Sequence, residues 1–341
     1  MIKKVRINNG FDENLDIGLR EPVIRRDGQS TTKYDGIFLT EIEGLGPAKA
    51  DIKFDESATR HGSRFNSARA NSRDITFHFL FLDINGLTAE DGRLAIYRFF
   101  PLTEKVTIYI WTGERYVKTS GYVESIEPEI FTEQAGASVT VKCPSAWFIY
   151  VGDNKKDINN FSNLEDVFEF DFADEPSPSL IFTSLEPGKA HEIDYPGEIE
   201  TGMTISIKGK GWDRNVHYGK YRLPVIYNNQ TREKMAISTN IIEYILNPNW
   251  PGIPDMTSVH DLDLCTICSD DEIRISTFTG DKYIKFIRGG VVYNVLNALP
   301  LNTDWLTLHP GKNVFSYECA TKEESYAIDI TMSANIYVAG V

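Results

Sequence analysis

Apolar and polar residues alternate with a period of two along the whole chain, and this pattern restricts its fold more than any other feature. It recurs at residues 75–81, 106–111, 139–143, 205–207, 273–275 and 328–332. A strand with this pattern places its apolar residues on one face, where a core can cover them. The sequence therefore predicts a mainly β protein.

Turn residues separate these runs and indicate how they are connected. Gly280-Asp281 joins residues 273–278 to residues 283–287, and Gly289-Gly290 leads into residues 291–296. Glycine pairs and Gly-Asp favour tight hairpin turns between neighbouring strands. Consecutive hairpins of this kind predict β-sandwiches or small barrels.

One helix is predicted within the first half, over residues 89–99. Thr88 can accept hydrogen bonds from the free amides of the first turn, and two acids follow it there. Leu94, Tyr97 and Phe100 recur at helical spacing. We expect this helix to lie between two strands and to pack that apolar face on a sheet.

The length of 341 residues predicts two domains, at about 150 residues per domain. The first alternating region closes at Cys143-Pro-Ser-Ala-Trp147, and the polar residues 152–160 that follow are typical of a linker. We expect a first domain over residues 1–150 and a second over residues 151–341.

The chain is acidic, with 35 basic and 49 acidic residues and a formal charge of −14. Residues 1–150 carry 19 basic and 21 acidic groups, which leaves 16 and 28 for residues 151–341. Tight nucleic-acid binding is disfavoured, because affinity for phosphates comes from Lys and Arg. No apolar run is long enough to span a bilayer, so we expect no membrane insertion.

Common catalytic and phosphate-binding motifs are absent from the sequence. Cys265 and Cys268 have the spacing of a zinc or redox pair, but no second ligand pair accompanies them, and buried thiols on a strand are the favoured explanation. We expect no metal, no cofactor and no enzymatic activity. A glycosidase with paired carboxylates stays open as a lesser alternative.

An arginine-rich segment, residues 57–73, contains no acidic residue. Its candidates for a subunit interface are Arg60, Arg64, Phe65, Arg69 and Arg73. Arginine is enriched at interfaces, so the segment is typical of an extended arm that binds carboxylates of a neighbouring subunit. A solvated loop is the equal alternative, and contact with nucleic acid comes third.

Trp250 lies in a proline-rich loop, residues 247–254, of the acidic half. A flat aromatic ring in such a loop can stack on a sugar, so Trp250 is a candidate saccharide contact. Packing of the ring on its own domain is the competing interpretation.

The order of several short motifs resembles that of phage distal tail proteins, the Dit family. In the first half these are Phe38–Gly46, Arg73–Phe77 and the closing Cys143–Trp147; in the second they are Pro196–Met203, Ile273–Thr277 with Gly280, and Leu308–Phe315. The resemblance covers about residues 35–148 and 180–341. Residues 240–268 look like an insertion relative to the family.

The resemblance implies a structural role without catalysis. It implies an N-terminal β-sandwich or barrel-like domain that carries the helix and forms a ring, usually of six copies, and a C-terminal galectin-like β-sandwich. Such a ring joins the tail tube protein to the tail hub and a receptor-binding protein, and leaves a channel for DNA. The implied location is the virion tail tip, after assembly in the host cytoplasm. A carbohydrate-binding module for the host envelope is the alternative.

Overall fold

The computed structural model describes residues 2–11, 13–18, 21–26, 31–56, 61–129, 135–151, 180–185, 189–209, 223–237, 271–319 and 328–341. The chain divides into two compact units. Unit 1 contains Met1–Asp153 and Tyr337–Val341, and unit 2 contains Asn154–Ile336. The described residues are mainly strands, and every strand pair is antiparallel, so the predicted mainly β class is confirmed.

Unit 1 begins with twelve strands and one α-helix among its described residues. They are β1 (Lys4–Asn8), β2 (Asn14–Gly18), β3 (Val23–Arg26), β4 (Thr31–Tyr34), β5 (Ile37–Glu43), β6 (Ala50–Glu56), β7 (Ser63–Ala70), β8 (Arg73–Phe81), α1 (Ala89–Phe99), β9 (Lys105–Trp111), β10 (Tyr116–Glu129), β11 (Gly136–Cys143) and β12 (Phe148–Tyr150). Nine strands form one sheet in the order β4-β3-β2-β1-β9-β10-β11-β8-β5, and β12 pairs with β10. Strands β6 and β7 form a separate two-stranded sheet.

The core of unit 1 lies on one face of the large sheet. In β8 burial alternates residue by residue, as the sequence pattern predicts. The rings of Phe77, Phe79 and Phe100 lie 6.0 to 6.4 Å apart between centroids, and Phe77 is completely buried. Apolar residues of β9 and β11 are buried with them, which explains why these runs form strands.

Helix α1 has the predicted bounds and the predicted N-cap. The Thr88 side chain accepts a hydrogen bond from the amide of Asp91, and the Asp91 carboxylate accepts one from the amide of Thr88. This reciprocal capping satisfies two amide groups that the first turn leaves free.

The face that α1 buries differs from the predicted one. Gly92, Ile96 and Phe99 are the buried helix residues, while Leu94 is 55% and Tyr97 is 37% exposed. Both the buried residues and the predicted ones have helical spacing. Gly92 favours burial of its own face, because a residue without a side chain lets the helix approach the sheet closely there. Phe100, which follows the helix, is completely buried, so the predicted packing face is correct at Phe100 and wrong at Leu94 and Tyr97, and the helix itself is confirmed.

Unit 2 contains ten strands and a short 3₁₀ turn, Leu296–Ala298, among its described residues. The strands are β13 (Leu180–Leu185), β14 (His191–Tyr195), β15 (Thr204–Gly209), β16 (Val225–Asn228), β17 (Glu233–Met235), β18 (Glu272–Ser276), β19 (Tyr283–Arg288), β20 (Val291–Asn294), β21 (Gly311–Glu318) and β22 (Ile328–Ala334). They form two sheets, in the orders β13-β22-β15-β18-β19-β20 and β14-β21-β16-β17. The consecutive hairpins predicted around Gly280 and Gly289 are confirmed in β18, β19 and β20.

The end of the chain belongs to unit 1. Strand β23 (Tyr337–Val338) pairs with β12, with Phe148 opposite Val338 and Ile149 opposite Tyr337. The chain therefore passes from unit 1 to unit 2 and back. Sequence analysis grouped these last residues with residues 151–341 and did not anticipate this pairing.

Candidate functional site

Strands β6 and β7 form a hairpin that we call the arm. None of its strand residues is buried, in contrast to most strands of the large sheet. Its strands pair only with each other. An isolated two-stranded hairpin is marginally stable in water, because it has no core of its own. A partner that covers the arm would therefore stabilise it.

The pairing register gives the arm one apolar and one charged face. Paired residues of an antiparallel hairpin point to the same side, and the apolar pairs of one side are Ala50 with Ala70, Ile52 with Ala68, and Phe54 with Phe65, with the polar pair Glu56 and Ser63 at its end. The pairs on the other side are Asp51 with Arg69, Lys53 with Ser67, and Asp55 with Arg64. Asn66 is the extra residue of a β-bulge, which keeps both sets on their own faces.

Large side chains of the apolar face are open to solvent. Ile52 is 50% exposed, Phe54 is 55% and Phe65 is 59%. The two phenylalanine rings contact edge to face, with centroids 6.4 Å apart at 77°. Contiguous apolar residues at this exposure are typical of an interaction surface.

The charged face carries one ion pair between the two strands of the hairpin. Arg69 Nε lies 3.4 Å from Asp51 Oδ2, and the Asn66 amide donates a hydrogen bond of 3.1 Å to Asp55 Oδ1. Arg64 lies opposite Asp55 in the register and is exposed. The arm therefore already pairs Arg69 with a carboxylate and places a second carboxylate opposite Arg64.

The structure separates the predicted interface residues. Arg64 and Arg69 lie on the charged face of the arm, whereas Phe65 lies on the apolar face. Arg60 lies outside the described residues. Sequence analysis missed β6, which contributes Ile52 and Phe54, although the alternation of residues 50–55 was a usable signal.

The structure corrects the prediction that Arg73 is exposed at a subunit interface. This residue is buried and does not lie on the arm. It is 3% exposed at the start of β8. Its five N–H groups donate to main-chain carbonyls: Nη1 to Gly44 and Gly46, Nη2 to Ala146 and Ala339, and Nε to Ala146 again. Five N–H groups are all that a guanidinium has. Arg73 therefore holds unit 1 together and is not presented to a second copy.

An open cleft of about 830 Å³ lies at the root of the arm. Its lining includes Lys49 and Arg69 from the arm root and Asp74, Thr76 and Lys142 from strands β8 and β11. The lining contains both basic and acidic side chains, so its charge does not favour one class of small ligand. The cleft separates the root of the arm from strands β8 and β11 of the large sheet.

Other predicted chemistry lies largely outside the described residues. Trp250, Cys265, Cys268 and the insertion at residues 240–268 fall there. No group of three metal-ligating side chains occurs in the part of the chain that the structure describes. Burial raises the pKa of the Cys143 thiol to about 11, so this cysteine is a poor nucleophile at neutral pH. The described helices include none that could cross a membrane.

No family model and no curated protein matches this chain. Solved structures similar to it include the SPP1 phage Dit (gp 19.1) protein, described as a paradigm of the hub adsorption apparatus in phages that infect Gram-positive bacteria. The TM-score is 0.47 at 10% identity, over 88% of this chain and 94% of that one.

Two further similar structures are phage baseplates in an activated conformation. The phage P2 baseplate with Ca gives a TM-score of 0.41 at 11% identity, over 98% of both chains. The phage p2 baseplate with Sr gives 0.37 at 10% identity, over 96% of this chain and 97% of that one. The printed name of the SPP1 protein is that of the family whose motifs the sequence resembles, and the other two are described as baseplate structures. With TM-scores below 0.5, these neighbours do not assign a function to this chain.

Proposed function

We propose that this chain is a structural component of a phage tail tip, built by self-association of unit 1. The single observation that carries the proposal is the arm, whose apolar face is open to solvent, whereas the apolar faces of strands β8, β9 and β11 are buried. The order of the sequence motifs resembles that of distal tail proteins, so we propose the phage tail tip as the assembly in which this surface makes a subunit contact. No catalytic role is assigned.

A second copy of the chain is the partner that we propose for the arm. Burying a phenylalanine contributes about 1.5–3 kcal/mol, so covering Phe54 and Phe65 can stabilise an association that also orders the hairpin. A ring needs a contact between two different patches on each copy, repeated around a closed circle. The arm supplies one of these patches.

The charge of the chain suits a conduit for DNA. Six copies at −14 each carry −84. An acidic ring lets DNA pass without the adhesion that counterion release gives to a basic channel. We propose that the ring, of six copies, joins the tail tube protein to the tail hub and a receptor-binding protein. It would lie in the virion after assembly in the host cytoplasm, with unit 2 as a galectin-like sandwich.

The test is size-exclusion chromatography with light scattering over a range of concentrations, together with negative-stain imaging. We expect the wild-type chain to form a cyclic oligomer and the double variant Phe54→Ser, Phe65→Ser to be monomeric. Phe11→Ser is the matched control, because Phe11 is 63% exposed in unit 1 but does not lie on the arm.

Two results would contradict the proposal. A wild-type chain that stays monomeric at every concentration, without annular particles, would exclude self-association as its function. Rings of unchanged stability in the double variant would show that the apolar face of the arm is not the contact.

A further inference from the structure

The last five residues of the chain reach the loop that leads into the arm. This loop, residues 44–49, joins β5 to β6. The amide of Val341 donates a hydrogen bond of 3.1 Å to the carbonyl of Leu45 in this loop. Val338 is buried in its pairing with β12, so the tail is fixed just before it makes this contact.

Arg73 binds the loop and the tail at the same time. Its guanidinium donates bonds of 2.6 Å to the carbonyls of Gly44 and Gly46, and a bond of 2.7 Å to the carbonyl of Ala339. Its carbon Cζ lies 4.1 Å from the centre of the Phe148 ring in β12, which holds the guanidinium in place. One buried side chain thereby connects the loop to a carbonyl that lies 266 positions after Arg73 in the chain.

Close backbone packing and a second arginine complete the contact. A Cβ added at Gly340 would lie 3.2 Å from the carbonyl oxygen of Leu45, so only glycine fits there without displacing the loop. Arg115 donates a bond of 2.8 Å to the carbonyl of Gly340. Gly44 has φ of +83° and could not carry a side chain, since its Cβ would lie 1.9 Å from the carbonyl oxygen of Asp74.

We propose that residues 337–341, held by Arg73, form a latch that fixes the root of the arm and so sets the direction in which the arm presents its apolar face. Arg73 is a positioning residue in this account, since it touches the root and not the partner. The consequence for assembly depends on the proposed function, while the positioning of the arm does not. The arm has no other strand to align it, so its direction is determined at its root.

The experiment compares two glycines of unit 1, one inside the latch and one outside it. Gly340→Val places a side chain against the loop, whereas Gly113→Val, in the turn after β9, is the matched control, because a Cβ at Gly113 meets nothing within 4 Å. Spin labels on cysteines at the exposed residues Ser67, in the arm, and Lys105, at the start of β9, report the distance between arm and sheet.

Labelling needs a background in which Cys265, Cys268 and Cys319 are replaced by Ser. Cys143 can remain, because it is buried and its thiol has a pKa raised to about 11. Pulsed electron resonance then gives the distribution of distances between the labels in the full chain.

We expect a narrow distribution in the wild-type background and in Gly113→Val, and a distribution at least about twice as wide in Gly340→Val. A chain that ends at Val338 keeps β23 but lacks the last three residues, and it should give the same widening. Equal widths in all four chains would overturn the latch.

Self-association is measured on the same chains by light scattering. Loss of oligomers in Gly340→Val, with oligomers retained in Gly113→Val, would support the role of the latch in assembly. If the wild-type chain is monomeric, the proposed function fails, but the label distances still decide whether the tail positions the arm. Unchanged oligomers together with a widened distribution would overturn the link between arm direction and assembly.

Discussion

Strand β8 and the arm lie in the same unit, and both alternate apolar with polar residues, yet they differ in what covers the apolar face. In β8 the alternating face is buried, and Phe77 is completely inaccessible. In the arm the corresponding side chains, Phe54 and Phe65, are more than half exposed. Alternation therefore defines two faces of a strand but does not identify the surface that covers one of them.

Apolar side chains in β8 therefore contribute to the stability of the fold, whereas those in the arm can contribute to assembly. Burial of apolar area in β8 stabilises unit 1 as the chain folds. In the arm, burial of apolar area contributes free energy only when another surface covers the hairpin. Equal substitutions in the two places should therefore affect different equilibria.

The largest expected effect comes from removing one phenylalanine ring from each place. Phe77→Ala should lower the free energy of unfolding of unit 1 by about 3–5 kcal/mol, because it leaves a cavity among Phe79 and Phe100. Phe65→Ala should change it by less than about 0.5 kcal/mol in dilute protein, because its ring is exposed. Urea unfolding followed by circular dichroism measures both.

A cost above about 1 kcal/mol for Phe65→Ala in the dilute chain would contradict the comparison. It would show that the apolar face of the arm is covered within one molecule.

The second prediction concerns acids that pair with arginine across strands. Asp16 in β2 is 4% exposed and lies 2.6 Å from Arg6, 3.2 Å from Lys4 and 3.2 Å from Arg26. Burial by itself raises the pKa of Asp16, but hydrogen bonds from Arg6 and Lys4 outweigh it, and the pKa of this carboxyl is lowered from its ordinary value. Asp16→Asn should cost about 1.5–3 kcal/mol at neutral pH, the range for hydrogen bonds to charged groups.

The pH dependence follows from the sign of this shift. A carboxyl with a lowered pKa in the folded state contributes stability that is fully present above its ordinary pKa of about 3.9. That contribution is lost as the pH falls through the lowered value. Unfolding measured between neutral pH and about pH 2 should therefore show a smaller acid-induced decline in Asp16→Asn than in the wild-type chain. An equal decline in both would show that Asp16 is not a source of the acid sensitivity.

The control for this prediction lies on the arm. Asp51→Asn removes a carboxylate that also pairs with an arginine, but the pair is solvent-exposed. We expect a change within about 0.5 kcal/mol at neutral pH.

The sequence was sufficient to predict the elements whose partners are local. The N-cap at Thr88 and the end before Pro101 define α1, and turn glycines at Gly280 and Gly289 define the hairpins of unit 2. Each of these signals acts within a few residues, so no knowledge of distant contacts is needed.

Features that depend on distant contacts could not be predicted. Arg73 appeared to be one of four equivalent arginines, but its partners include Ala339, whose proximity depends on the path of the whole chain. The bulge at Asn66 changes which side chains share a face with Phe65, and no turn residue marks it. The sequence therefore places Arg64, Phe65 and Arg69 in one segment but does not show which face of the hairpin each of them occupies, because that depends on the pairing register.

A third prediction tests the contact that decides which face of α1 is buried. Gly92→Ala places a Cβ 3.0 Å from the ring of Phe81, and overpacking of this kind costs about 1–3 kcal/mol. Alanine is better than glycine in a helix by about 1 kcal/mol, which offsets part of this cost. We expect a net loss of about 1 kcal/mol in urea unfolding, the difference of these two effects.

Gly113→Ala is the control for this substitution, because a Cβ there meets nothing within 4 Å. It should leave the stability of unit 1 nearly unchanged. A gain in stability from Gly92→Ala would mean that the helix does not approach the sheet as closely as the structure shows.

The smallest expected effect concerns the charged face of the arm and sharpens the contrast between its two sides. Arg64→Glu with Arg69→Glu places like charges opposite Asp55 and Asp51. Exposed ion pairs contribute little and are screened by salt, so self-association should weaken by no more than about fivefold. Sedimentation equilibrium at about 50 mM and about 500 mM NaCl should show the weakening at low salt and little of it at high salt.

Loss of association at both salt concentrations would reverse the assignment of the two faces. The arginines would then contact the partner directly, as the sequence alone suggested, and the apolar face would have another role. Persistence of association at high salt, together with its loss in Phe54→Ser, Phe65→Ser, would assign the contact to the apolar face, since burial of apolar area is not screened by ions.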